Sequence, residues 1–333
     1  MAGDGGGVAP GSPGGTGRRR WPQLLVLVAL VVFPLVAEPI VVRRVAGVGV
    51  LSLAVLGLVV VTGRTGLISL GHGALVGLGA FAMASYLDVV GLPAPLALAA
   101  TFVTCWAVGW LVGLPALRIR GLYLALVTLG VAVVFPSLAK RFPTLTGGVS
   151  GRAVESTWDA PAWLGEQHTV LWRYYWCATV CLVLFRATAG VLEGRMGRAL
   201  RAVRDDETAA AAFGVRLAST KTGAFALSAA LAGTAGALRA VLFPFVSHEQ
   251  YDVFLSFRLY AAAVIGGIGE LSAAVYGVGA LILVPALNDA AGLLDSDVLA
   301  FGVGLVVLTF VAPDGLAGLV GRWAARLRAR RRS

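Results

Sequence analysis

VAGVGVLSLAVLGLVVVT, residues 45–62, holds no charged side chain. A bilayer core of about 30 Å needs about 20 mostly apolar residues to be crossed as a helix. This stretch is that kind of segment, and similar runs follow it along the chain. Of the 333 residues, 58% are hydrophobic and only 13% are charged, about half the usual charged share of a soluble domain. Together these features predict an all-α, polytopic membrane protein. Candidate spans fall near 23–42, 45–62, 66–87, 92–116, 119–139, 170–190, 221–243, 254–268, 271–288 and 296–313, about ten in all. The eighth is short enough to be tilted, broken or re-entrant.

The flanks divide into regions. Residues 1–20 are read as a disordered cytoplasmic tail, Gly/Pro/Ser-rich until Arg18, Arg19 and Arg20. Residues 21–316 form the transmembrane domain, with an outer loop at 140–169 and a charged inner segment at 191–220. Residues 317–333 are a basic cytoplasmic tail. The outer loop carries Trp158 and Trp163, with Trp172 just beyond it, and indoles favour the membrane interface.

The net charge of +10 fits arginines at membrane faces rather than nucleic-acid binding. Placing both termini in the cytoplasm puts Arg64, Arg118, Arg120, Arg186, the arginines from Arg195 to Arg216, Lys221 and the tail arginines inside. Asp88, Glu155, Asp159, Glu249, Asp252, Asp289, Asp295 and Asp297 then fall outside, as the positive-inside rule favours. Arg43 and Arg44 break the pattern, so either they lie outside or the first two spans are misdrawn. Cys105, Cys177 and Cys181 sit in apolar runs and read as small hydrophobes. No metal-ligand spacing, no nucleophile–base pair and no G-x-x-x-x-G-K-[ST] phosphate loop is present in the sequence. The chain is therefore read as no enzyme, with no cofactor, metal or catalytic residue.

One segment is unlike its surroundings. GRALRAVRDDETAAAAFGVRLASTKTG, residues 197–223, is charged and alanine-rich. Drawn as one helix, it places Arg198, Arg201 and Arg204 on one side and Leu200, Val203, Ala210 and Phe213 on the other, with Asp206 and Glu207 intruding there. Gly214 is positioned to end or bend that helix. Such a helix can seat in a partner's groove or merely join two spans. Ser69, Gly73 and Gly77 recur at every fourth position, as do Ser228, Ala232, Gly236 and Ala240. Ladders of this kind let helices approach closely; the first also has the alternative of bordering a translocation path. His72, among glycines, is read as fixing the local backbone rather than relaying protons. Gly266, Gly267 and Gly269 read as a tight turn between spans.

Five motifs in order resemble the LivM-type permeases of branched-chain amino acid ABC importers. They are GRTGLISLGHGALVGLGAF (63–81), LRIRGLYLALVTLG (117–130), LTGGVSG (145–151), AAAVIGGIGELSAAVYGVGALIL (261–283) and APDGLAGL (312–319). The resemblance implies an alternating-access permease subunit in the bacterial plasma (inner) membrane. The implied partners are a second permease of related fold, two ATP-binding subunits that hydrolyse ATP, an extracytoplasmic substrate-binding protein and the lipid bilayer, with no nucleic acid. It makes 191–220 the segment coupled to the ATPase, with Arg204, Glu207, Ala209, Ala210 and Gly214 as its contact residues. The importer pattern of Glu-Ala-Ala, three residues, then Gly is one residue longer here, since Gly214 is seven after Glu207. The alternatives are the same architecture importing urea, short amides or a sugar, and an ion-coupled secondary transporter working alone.

Overall fold

The computed structural model describes residues 30–114, 122–154, 159–161, 165, 168–291, 297–312 and 315–330. The N-terminal tail, Trp158, Trp163 and the LRIRG start of the second motif lie outside them.

The fold is built around α-helices. Residues 30–36 are helical, and the chain breaks at Ala37–Glu38. Pro39 then opens α1, Pro39–Leu58, which runs on into a π-helical turn at Val59–Gly63. Proline suits a first helical position because its missing N–H would have no partner there. This break shows that the first two sequence-drawn spans were divided too late. Arg43 and Arg44 lie within α1, not in a loop. The next helices are α2 (His72–Asp88), α3 (Ala94–Gly113), α4 (Leu122–Arg141) and the short α5 (Pro143–Thr146). After strand β1 (Arg152–Ala153) come α6 (Thr169–Glu193), α7 (Arg195–Asp205), α8 (Glu207–Ala212) and α9 (Leu217–Leu242). Strand β2 (Phe245–Val246) and a 3₁₀ turn (His248–Tyr251) lead to α10 (Val253–Gly266), α11 (Ala273–Ala291), α12 (Asp297–Val311) and α13 (Gly315–Arg330).

Among the described residues, five helical stretches are long and apolar enough to cross a membrane: Pro39–Gly63, Ala94–Gly113, Tyr123–Arg141, Thr169–Glu193 and Leu217–Leu242. Val253–Gly266 and Ala273–Val284 are shorter apolar helices. α2 has 17 residues, roughly 25 Å of helix. The expected third span, 66–87, is only partly helical: residues 66–71 are non-helical and α2 starts at His72.

α9 is the axis of the molecule. Its most apolar window is 89% buried within the chain, against 22% for α6. It packs on α1, α2 and α3. Small residues make this possible: Gly233 backs onto Gly79 of α2, and Gly236 onto the Val76 carbonyl. Between helices in lipid, small residues let backbones approach closely and gain van der Waals contact.

At one end, the LTGGVSG stretch packs against the helices, Ser85 Oγ donating to the Leu145 carbonyl at 2.7 Å. Gly147 takes a left-handed conformation after α5. Thr146 Oγ1 donates to the Ala139 carbonyl at 2.6 Å. β1 pairs antiparallel with β2, Arg152 opposite Val246. Arg173 and Asp159 pair at 2.8 Å.

Candidate functional site

The opposite end of α9 begins where the charged segment ends. That segment is not one helix. Asp206 is extended (φ −157°, ψ 115°) and caps α8, its Oδ1 accepting from the amides of Thr208 and Ala209. α7 and α8 are therefore separate, and a single helical wheel does not describe them. The cap is local chemistry: a short carboxylate satisfies amides that have no partner in the first turn.

Leu200, Val203 and Ala210 are buried, as their apolar face requires. Phe213, expected on the same side, is 90% exposed. Ala209 is also exposed. Gly214 has φ 83°, which closes the segment in a left-handed turn; Val215 N donates to the Ala210 carbonyl across it.

Two bonds fasten this segment to the helices. Glu207 Oε1 meets Lys221 Nζ of α9 at 2.7 Å, with the lysine side chain 2% exposed. Arg204 Nη1 donates to the Gly63 carbonyl at 2.6 Å. Gly63 closes the π-helical turn of α1, where the wider i→i+5 pattern disturbs the regular ladder of carbonyl acceptors. A side chain at Gly63 would be driven into the Ile268 carbonyl, in the turn after α10. The turn of α1 is thus wedged between the charged segment and the Gly266–Gly269 turn.

Beyond it lies the non-helical stretch 66–71. Gly66 N still donates to the Thr62 carbonyl and Leu67 N to Thr65 Oγ1, but the regular helical ladder ends there, and buried amides need partners. Side chains from other helices hold the far end of the stretch and the start of α2. Leu70 N donates to Thr128 Oγ1 of α4 at 2.9 Å. Gly73 N, in the first turn of α2, donates to Ser256 Oγ of α10 at 2.9 Å. Non-helical backbone at membrane depth is tolerated where protein surrounds it, and Leu67, Ser69 and Gly71 are buried.

His72 ties this stretch to α9 and α1. Ser228 Oγ donates its one hydrogen to the Gly57 carbonyl at 2.6 Å. It must therefore accept from His72 Nε2–H, at 2.7 Å. His72 Nδ1 is then the acceptor for Ser69 O–H, at 3.1 Å. In a neutral ring these two bonds set the tautomer, with the hydrogen on Nε2. The Ser69–His72–Ser228 chain ends on the Gly57 backbone carbonyl.

Gly73 faces Ser256 and the Asp252 carbonyl, and Gly77 faces Phe135 and Tyr251. The sequence reading missed Lys221, Thr128, Ser256 and Gly63 as participants. The available signal was hydroxyl and amine groups inside apolar helices, which need partners there.

In this assembly a charged, partly exposed segment is bonded to buried, irregular apolar helix. The profile of the family described as branched-chain amino acid transport system / permease component matches residues 41–312, and the chain belongs to that family. It is similar to the high-affinity branched-chain amino acid transport system permease protein LivM of Escherichia coli K12, with 32% identity over 88% of this chain and 75% of the relative. It is similar to LivH of the same organism at 27% identity, over 80% of this chain and 91% of that protein. A shorter match joins it to BraD of Pseudomonas aeruginosa, at 32% identity over 41% of this chain and 44% of the relative. No solved structure matches the chain.

Proposed function

We propose that this chain is the membrane-spanning permease subunit of an ATP-driven importer of branched-chain amino acids in the bacterial plasma membrane. A second permease, two ATP-binding subunits and an extracytoplasmic binding protein complete the machine. The similarity to both LivM and LivH supports a paired permease. The observation that carries the mechanism is the bond from Arg204 to the Gly63 carbonyl. An ATPase that moves α7 and α8 pulls on the end of α1, and through it on residues 66–73, where side chains of α4, α9 and α10 hold Leu70, His72 and Gly73. In this reading Ala209 and Phe213 meet the ATPase, while Glu207 and Ala210 anchor the segment to this chain and Gly214 shapes its turn. Ser69, His72, Gly73 and Gly77 hold the hinge between the coupling segment and the path.

The test is uptake of L-leucine by proteoliposomes containing the full complex with its binding protein. Uptake is expected to require internal ATP and to survive collapse of the proton gradient. Arg204→Gln is expected to keep the ATPase bound and hydrolysing while uptake falls about tenfold or more, because a neutral amide replaces a charge-assisted donor. Gradient-driven uptake by this chain alone, or full uptake by Arg204→Gln, counts against the mechanism.

Orientation gives a second prediction. Val149 and Phe213 are both well exposed. Val149→Cys is expected to react with a membrane-impermeant maleimide from outside, and Phe213→Cys only from inside. Cys105, Cys177 and Cys181 are buried and give little background. Outside labelling at position 213 overturns the arrangement.

A further inference from the structure

A separate cavity of about 570 Å³ opens where α9 ends and α10 begins. Its charged residues are Arg239 and Arg258, with Glu249 and Asp252; its apolar wall includes Leu51 and Leu281. Leu51 belongs to the middle of α1, so the cavity reaches from the charged 3₁₀ turn into the apolar bundle.

Arg239 is held in place. Its guanidinium lies over the Phe243 ring at 5.5 Å and hydrogen-bonds Tyr251. Burial pushes the Tyr251 phenol up to about 12, although the Arg239 charge works in the other direction, so this partner stays neutral at physiological pH. Arg239 Nε is nonetheless buried without a hydrogen-bond partner among the described residues. A buried guanidinium N–H left unpaired is costly. Asp252 is fixed too, its Oδ1 accepting from Leu255 N at 3.0 Å.

Resting on the function proposed above, we infer that this cavity is a holding site within the permease for a zwitterionic α-amino acid with an aliphatic side chain. The ligand carboxylate pairs with Arg239 and Arg258, the ammonium with Glu249 and Asp252, and the side chain lies against Leu51 and Leu281. Two bases and two acids give a site of balanced charge, which suits a ligand of net charge zero carrying both signs. Urea, an amide or a sugar carries no ionic group to pair with these side chains, and a site that recognises its ligand through ionic pairs discriminates against ligands that lack them.

The experiment uses the full complex in nanodiscs without binding protein, with tritiated L-leucine as probe. The parent complex is expected to bind leucine, and 4-methylpentanoate and isopentylamine, each lacking one charge, at least tenfold more weakly. Arg239→Gln is expected to weaken leucine binding about tenfold or more. Leu281→Trp, which fills the apolar wall and removes no charge, is expected to weaken leucine binding while sparing glycine. Leucine uptake by the complete complex is measured in parallel. If uptake is normal but the parent complex binds no leucine, or neither substitution changes binding, the site is overturned and the permease reading stands. If the complete complex transports no branched-chain amino acid while the nanodisc complex binds leucine at this site, the transport reading falls and the site stands.

Discussion

Lys221→Met is expected to lower the thermal stability of the solubilised chain and to abolish transport-coupled ATP hydrolysis. Lys221 Nζ lies 2.7 Å from Glu207 Oε1, and the lysine side chain is nearly inaccessible to solvent. Breaking a largely buried pair costs on the order of 3 kcal/mol, with the smaller share on the Glu207 side, whose side chain is 26% exposed. Glu207→Gln alone leaves the buried ammonium without its counter-charge and is expected to act in the same direction. Replacing both partners with groups of similar volume removes the stranded charge, and such exchanges are often close to neutral. The double variant Glu207→Gln/Lys221→Met is therefore expected to regain most of the stability. The measurement is a double-mutant cycle on the melting temperature, with leucine-stimulated ATP hydrolysis read alongside. Strictly additive losses would show that the pair holds nothing together.

This pair also marks where sequence reading reached its limit. The membrane class was legible in the scarcity of charge, and the family in five motifs in order. Leu200, Val203 and Ala210 fell on the buried side as their spacing required. The break at Asp206 was less visible, because an alanine-rich stretch reads as uninterrupted helix while the capping geometry depends on one backbone torsion pair. Phe213 follows the last residue of α8, just before the left-handed turn at Gly214, and is exposed although Ala210 after the same break is buried. Residues 66–71, G-L-I-S-L-G, were drawn as the start of a helix. Hydropathy registers only that they are apolar. The Thr128 hydroxyl takes the Leu70 amide and the Ser256 hydroxyl takes Gly73 just beyond; both lie far along the chain, and no local pattern announces those partners. The late division at residues 42–45 has a simpler cause: Pro39 was the better boundary signal, but the apolar run continued across it.

Gly236→Val and Gly79→Val are expected to prevent the bundle from assembling. At Gly236 an added Cβ would be driven into the Val76 carbonyl, and at Gly79 into the backbone of Gly233. Backbone at a helix crossing cannot rotate away as a side chain does, so α2 and α9 must separate along their contact. Overpacking of ordinary cores costs about 1–3 kcal/mol, and these positions exceed that range because the obstacle is main chain. Gly49→Val and Gly130→Val are the controls, since a Cβ at either meets nothing within 4 Å. The two crossing variants are expected to lose the monodisperse peak in size-exclusion chromatography after detergent extraction, while the controls keep it. A folded Gly236→Val protein would show that α2 and α9 do not make this crossing.

The stretch that precedes α2 has one further consequence. A helix guards its amide protons by its own ladder, and they exchange with solvent only when the helix frays. The Leu70 and Gly73 amides are guarded instead by Thr128 and Ser256, on two helices that are not neighbours in the chain. Their isotope exchange therefore clocks how often those helices move away, not how often α2 melts. Nature has placed a pair of gauges at the seam, each reading the departure of a different helix.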